Sequence, residues 1–168
     1  MLSSPRDRIF SAAALGILAG DIVSKRLAES RLVLHVPQDV IGEWVRFTLT
    51  YNKGAAMNMT LGASSRVVFS VLAVAMVIII VRMWRGLPPT STWLSGSLGM
   101  IAAGATGNLI DRVRSARGVV DFIDVGIGAT RFWTFNVADA GVTCGAVILA
   151  IITWREPHHD RAVAPPAT

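Results

Sequence analysis

Two aspartates, Asp121 and Asp139, are the residues of this chain best placed to do chemistry. They stand in a stretch where charge meets a long apolar run: from Gly86 to Ile110 no ionisable residue occurs, and Asp111-Arg112 ends the run abruptly. Asp121 and Asp124 follow, and Asn136 and Asp139 stand at the mouth of the next apolar run. Two carboxylates held close at a low-dielectric boundary do not both ionise readily, so one keeps a proton. Such a pair can hold a water, take its proton and return a proton to a leaving amine. Other catalytic classes find little support. No G-x-S-x-G elbow, no H-E-x-x-H and no G-x-G-D occurs, and no histidine is spaced to activate a serine or cysteine. Cys144 is the single cysteine, and His35, His158 and His159 match no metal-ligand spacing, so no metal or other cofactor is expected.

Local readings compete with the chemical one. Asp111 beside Arg112 reads as a simple ion pair, Asp124 as a solvated loop acid, and carboxylates at helix ends commonly serve as caps. Asp21 and Lys25 are four residues apart and so share one helix face, either as a local pair or as part of a site. Asn108 and Arg112 repeat that spacing. A polar pathway for ions or protons through Asp21, Arg112 and Asp139 is the alternative of a different class, and a purely structural scaffold is a third.

The elements that would position these groups are apolar. The chain of 168 residues is 52% hydrophobic and 16% charged, with a mean hydropathy of +0.53; a soluble domain is about 25% charged. Four runs are long enough to cross a bilayer as helices, at residues 9–28, 64–83, 93–112 and 135–154. Small residues recur every fourth position at Ala12, Gly16 and Gly20, and again at Ser95, Gly99, Ala103 and Gly107. These stripes suit close helix packing, and the second makes the third helix the central one. Gly141 and Gly145 extend the theme. Between the first two runs, Glu29 to Ser65 is the longest polar section, with a surface β-element expected at about 30–62. Its Leu32–Val36 segment, closed by Pro37, and its Trp44–Tyr51 segment are β-prone, predicting a small sheet on the membrane surface. Residues 157–168 read as a disordered tail.

The whole is expected to be one mainly α membrane domain, with all the polar candidates at one face. The net charge of +5 is spread between apolar runs, which argues against a nucleic-acid footprint and for anionic lipid headgroups. Charge does not decide orientation. Arg6, Arg8, Arg82, Arg85, Arg155 and Arg161 lie on the side of the termini, and the rest of the 16 cations on the other. A plain positive-inside count would place the termini outside, yet several of the remainder sit in helix ends or beside carboxylates.

Four ordered blocks then carry a resemblance that covers nearly the whole chain. They are Asp21-Ile-Val-Ser-Lys25; Asn52-Lys-Gly-Ala-Ala56; Gly104-Ala-Thr-Gly-Asn108-Leu-Ile-Asp-Arg112 running on to Val119-Val-Asp121-Phe122; and Phe135-Asn136-Val-Ala138-Asp139. In these blocks the chain resembles the bacterial lipoprotein signal peptidases, the type II signal peptidases of the inner membrane. The resemblance implies an aspartic endopeptidase with Asp121 and Asp139 as the catalytic pair. It implies supporting or substrate-binding roles for Asp21, Lys25, Asn52, Gly104, Asn108, Arg112, Asn136 and Ala138. It further implies cytoplasmic termini, a site near the outer face, and a surface β-element that cradles substrate. The expected substrate is a prolipoprotein whose cysteine carries diacylglycerol, cleaved just before that cysteine, by a monomer in contact with membrane lipids. Two departures stand out: Met57 where the family commonly has an aromatic residue, and a slightly long Arg112 to Asp121 connection, which leaves Asp124 as a fallback partner.

Overall fold

The computed structural model describes residues 4–54 and 64–155. Met57 and the end of the expected 30–62 section, together with the expected tail at 157–168, lie outside the described residues. The element order is α1 (Pro5–Arg31), β1 (Gln38–Ile41), β2 (Val45–Asn52), α2 (Ser65–Gly86), α3 (Thr92–Arg114), β3 (Val119–Ile127), β4 (Thr130–Arg131) and α4 (Val137–Arg155). It is a mainly helical fold with one small antiparallel sheet, of strand order β1-β2-β3-β4.

Local chemistry sets the helix ends. Ser4 caps α1, its Oγ accepting from the Asp7 N–H at 3.3 Å, and Pro5 occupies the first turn, where a missing N–H is tolerated. Leu87-Pro88-Pro89 separates α2 from α3. Arg6 ties this end together: its guanidinium donates to the Leu87 carbonyl and lies over the Trp84 ring, on which Phe10 stacks.

α3 is the central helix, with α1, α2 and α4 all packed on it. Ser95, Gly99, Ala103 and Gly107, the stripe seen in the sequence, are all buried. A Cβ on Gly99 would meet the Phe10 carbonyl of α1 at 2.6 Å, and one on Gly107 would meet Asp21 Oδ2 at 2.5 Å. Gly104 turns toward α4, where a Cβ would run into the Ala138 carbonyl. Gly141 and Gly145 do the same from α4, against Ile17 and the Ser97 carbonyl. Small residues therefore let three backbones approach closely, as expected of helices packing in lipid.

α2 and α4 are long and apolar enough to cross a membrane. α2 buries only Ser65 and Ile80 and turns Val67, Val71, Leu72, Ile78, Ile79 and Met83 outward. In water that surface would be an interaction patch; in hydrocarbon it needs no cover. α1 and α3 read as less apolar because α1 carries Asp21, Lys25 and Arg26 and α3 is rich in glycine, serine and threonine.

The sheet departs from expectation in two ways. Val45–Asn52 is a strand as foreseen, but Leu32–Val36 contributes only a bridge from Leu34 to Leu49, because His35 turns to φ 59. The strand on that side is Gln38–Ile41, after Pro37. The second departure is β3: the segment read as a connection with a loop acid at Asp124 is a nine-residue strand. It pairs with β2, placing Thr50 opposite Asp121 and Asn52 opposite Val119. Buried Leu49, Val120 and Phe122 seal the sheet onto Ala28 near the end of α1.

These contacts predict an asymmetry among the glycines. Gly104→Val should lower the unfolding free energy in detergent by at least about 1–3 kcal/mol, the usual penalty of forcing side-chain atoms into a packed core. Gly16→Ala, inside α1 with nothing within 4 Å of its Cβ position, should leave the thermal midpoint unchanged or raise it, since alanine favours a helix interior by up to about 1 kcal/mol.

Candidate active site

The site is assembled around a buried cation. Lys25 and Asp21 lie one turn apart on α1 and are almost wholly buried. The Lys25 ammonium reaches Asp21 Oδ2 at 2.8 Å, Asp111 Oδ2 of α3 at 2.9 Å and Asn108 Oδ1 at 3.0 Å. Those acceptors match its three N–H donors. Each carboxylate carries the link onward. Asp21 Oδ1 accepts the Ala138 N–H in the first turn of α4 at 2.9 Å, and Asp111 Oδ2 accepts the Val120 N–H of β3 at 3.3 Å. One ammonium thus fastens α1, α3, α4 and β3.

The start of α4 follows from that anchorage. Asn136 stands at its N-cap and Asp139 three residues on, as in a capping box. The Asn136 side-chain oxygen accepts the Asp139 N–H at 3.0 Å, and the Asn136 N–H donates to Asp139 Oδ2 at 3.2 Å. Asp139 Oδ1 accepts from Asn108 Nδ2 at 2.7 Å. Asn136 Nδ2 turns the other way, to Asp121 Oδ1 of β3 at 2.7 Å. A single asparagine therefore contacts both aspartates. Asn52, at the end of β2, also hydrogen-bonds the Asp121 side chain.

Asp121 is 3% exposed. Burial, reinforced by the charge of nearby Asp139, pushes its carboxyl up to about 7, against the hydrogen bonds from Asn136 and Asn52. A carboxyl that keeps its proton up to about pH 7 beside a second carboxyl is the chemical condition for a shared proton.

Arg112 closes one side. Its guanidinium donates to the carbonyls of Asn108 at 3.2 Å and Gly54 at 2.8 Å. Beyond the aspartates a cavity of about 1070 Å³ opens. Its floor is Ile101 and Ala105 of α3, and its walls are Leu72 and Met76 of α2 and Val142 and Cys144 of α4. It is a largely apolar groove with its polar groups at one end.

All ten residues singled out from the sequence converge here. Asp121, Asp139, Asn108, Asn136, Asn52 and Arg112 meet around the pair; Asp21 and Lys25 lie behind it; Gly104 and Ala138 form the α3–α4 contact that sets the distance between the helices. Two expectations are corrected. Asp111 does not pair with its neighbour Arg112; it faces Lys25, because consecutive helical residues point apart. Asp124 is not a solvated loop acid: it is bound to Arg131 at 2.9 Å and to Thr48 at 3.2 Å in the sheet. Asp111 is the member of the buried cluster whose part the sequence reading did not see. Its position seven residues after Gly104 and nine before Val120 carried no distinguishing signal.

Known proteins share this architecture. A family model described as signal peptidase (SPase) II matches residues 13–155. A lipoprotein signal peptidase of Streptomyces coelicolor is 36% identical over 163 residues, spanning 94% of this chain and 76% of that protein. One of Mycobacterium avium is 40% identical over 154 residues, spanning 88% of this chain and 80% of its own. Among solved structures, a bacterial membrane enzyme determined by the in meso method at 1.9 Å superposes with a TM-score of 0.80 at 26% identity, over 93% of this chain and 99% of its own.

The buried ion cluster yields a stability prediction. Lys25→Met strands two buried carboxylates and should cost about 3–5 kcal/mol, the usual penalty for breaking a buried pair from one side. Arg114→Met, at the exposed end of the same cluster, should cost at most about 1 kcal/mol. Denaturant titration of both variants in one detergent measures the difference.

Proposed function

The chain belongs to the signal peptidase II family, and from that premise we propose that it is an aspartic endopeptidase of the bacterial inner membrane that removes signal peptides from prolipoproteins. Its substrate on this reading carries diacylglycerol on a cysteine, and the bond cut is the one just before that cysteine. The observation that carries the proposal is the pairing of Asp121 and Asp139 through Asn136 at the polar end of an apolar groove. The groove suits acyl chains, and the aspartates suit a peptide bond held at its mouth.

In the proposed mechanism Asp121 and Asp139 share one proton. The neutral carboxyl, assigned to Asp121, donates toward the scissile carbonyl oxygen. Asp139 takes a proton from a water whose oxygen attacks the carbonyl carbon. The tetrahedral intermediate collapses as its C–N bond breaks: the cysteine nitrogen leaves with the proton that Asp139 took, and the proton Asp121 gave returns to it as the carbonyl re-forms. Asn108 and Asn136 hold Asp139, Asn136 and Asn52 hold Asp121, and Arg112 places the backbone at Gly54 beside the pair.

The membrane arrangement proposed is four spanning helices, a monomer, both termini cytoplasmic and the site near the outer face. Aromatic residues support two interfaces. Trp93 and Trp154 are exposed at the end that carries the termini, and Trp44, Phe132 and Trp133 at the end that carries the sheet. A polar pathway for transport would spread ionisable groups through the membrane depth, whereas Asp21, Lys25, Asp111, Asp121 and Asp139 are one connected cluster.

The direct test is cleavage of a diacylglyceryl-modified prolipoprotein by the purified protein. Asp121→Asn and Asp139→Asn should each reduce the rate by about a thousandfold or more, with thermal unfolding confirming that both variants fold. Full activity in Asp139→Asn would overturn the dyad.

The raised carboxyl fixes a pH dependence. Asp121 must be protonated, so kcat/KM should fall above pH about 7. Asn136→Ala removes a hydrogen bond that favours the ionised form, so any residual activity should show that limb shifted to higher pH. Stability follows the same sign. A carboxyl neutral in the fold but ionised in the unfolded chain above pH about 4 favours folding most below that pH, and the contribution is lost as pH rises through about 7.

A further inference from the structure

On the far side of β2 from the aspartates lies a second recess, of about 370 Å³, lined by Leu34, His35, Tyr51, Lys53, Ala116 and Arg117. Three of those six side chains, His35, Lys53 and Arg117, are basic. Local geometry holds them there. Gly118, at φ 104, lets the chain after Arg117 pass directly against the Asn52 and Lys53 backbone, and the left-handed His35 turns the chain back beside Leu49.

Charge in the recess is unbalanced. Glu29 is the acid at its back, and it is already shared: it accepts from Tyr51 Oη at 3.2 Å, pairs with Arg114 at 3.1 Å and reaches Arg117 at 3.5 Å. The Arg117 guanidinium lies 4.2 Å from the centre of the Tyr51 ring, which holds its charge at the rim. Among the described residues Lys53 has no carboxylate partner, and it is exposed. Glu29 is therefore divided between Arg114, which Asp111 also approaches at 3.6 Å, and Arg117, and the Lys53 ammonium adds positive charge that no carboxylate among the described residues offsets. Beside this excess of positive charge Val33, Leu34 and Val36 are exposed. Guanidinium and ammonium donors above an apolar shelf suit a phosphate joined to a hydrocarbon body.

We propose that this recess binds the headgroup phosphate of an anionic phospholipid of the outer leaflet, with Lys53 and Arg117 as its donors and Leu34 against the glycerol end. The proposal rests on the reading above that the sheet lies at the outer membrane face. His35 and Tyr51 line both this recess and the groove holding Asp121 and Asp139. A bound lipid would therefore brace β2 and the His35 turn from behind while substrate occupies the front.

The test is lipid retention by the full-length protein. The protein is released from micelles containing equal amounts of phosphatidylglycerol and phosphatidylcholine, and retained lipid is read by native mass spectrometry. The parent should prefer phosphatidylglycerol. Lys53→Ala should reduce the preference about fivefold, and Lys53→Ala with Arg117→Ala by about twentyfold or more, the scale of a surface cation near an anionic headgroup. Lys53 is exposed, so Lys53→Glu provides a variant that folds whatever Arg117→Ala does to Glu29, and it should abolish the preference. Equal retention of both lipids by the parent, or unchanged preference in Lys53→Glu, overturns the proposal. So does protection against thermal unfolding by inorganic phosphate, or by a soluble acidic peptide, that phosphatidylglycerol does not match. Prolipoprotein cleavage in phosphatidylcholine micelles is scored separately. Absent cleavage with selective lipid retention would count against the peptidase and leave this site standing.

Discussion

The Lys25 ammonium is the constraint on which the rest depends. It is buried, and an unpaired charge there would be prohibitive, so its acceptors must all be in place for the chain to fold. They come from different parts of the sequence: Asp21 from its own helix, Asp111 and Asn108 from α3. Through Asp21 the cluster holds the first turn of α4, and through Asp111 it holds β3. Those are the two elements that carry Asp139 and Asp121. A buried ion cluster contributes little net stability compared with apolar packing. Here it fixes which helix ends and which strand meet, and Asp121 and Asp139 inherit that geometry.

Two kinds of packing divide the molecule along its length. Near the sheet, the elements are joined by hydrogen bonds and ion pairs among side chains that would otherwise be stranded in a low dielectric. Away from it, α1, α3 and α4 are held by glycine contacts in which backbone approaches backbone, as Gly99, Gly104 and Gly145 do against the carbonyls of Phe10, Ala138 and Ser97. α2 belongs to neither regime fully. It rests on α3, exposes most of its apolar side chains, and forms one wall of the groove. A groove between two helices that share a common floor suits the sideways entry of a lipid-anchored peptide on the function proposed above.

The sheet ties these features together. β3 brings Asp121 to the pair, and β2 brings Asn52 to Asp121 and lays Tyr51 over Glu29. One face of β2 therefore serves the aspartates while the end of the strand gathers Lys53 and Arg117. Successive strand residues point to opposite faces, so Asn52 and Tyr51, adjacent in one short strand, meet both demands.

The residues themselves determined a good deal. Apolar runs of helical length, small residues at every fourth position and the i, i+4 pair Asp21–Lys25 are local signals. Each survives in the fold, because helix periodicity is set within a few residues. The block order further marked Asp121, Asp139 and their companions as a group. Tertiary structure alone decided their partners. Asp111 turned from adjacent Arg112 to distant Lys25, Asn136 took both aspartates, and Asp124 was claimed by Arg131. β3 was hidden for a related reason. Its residues Val119 to Phe122 are buried throughout, so the alternation that marks a half-exposed strand is missing. Its strand character depends on β2, some seventy positions earlier in the chain. Local spacing records which residues share a helix face. It does not record which of several carboxylates a single buried ammonium will choose, since that choice rests on backbone approaches between segments far apart in the chain.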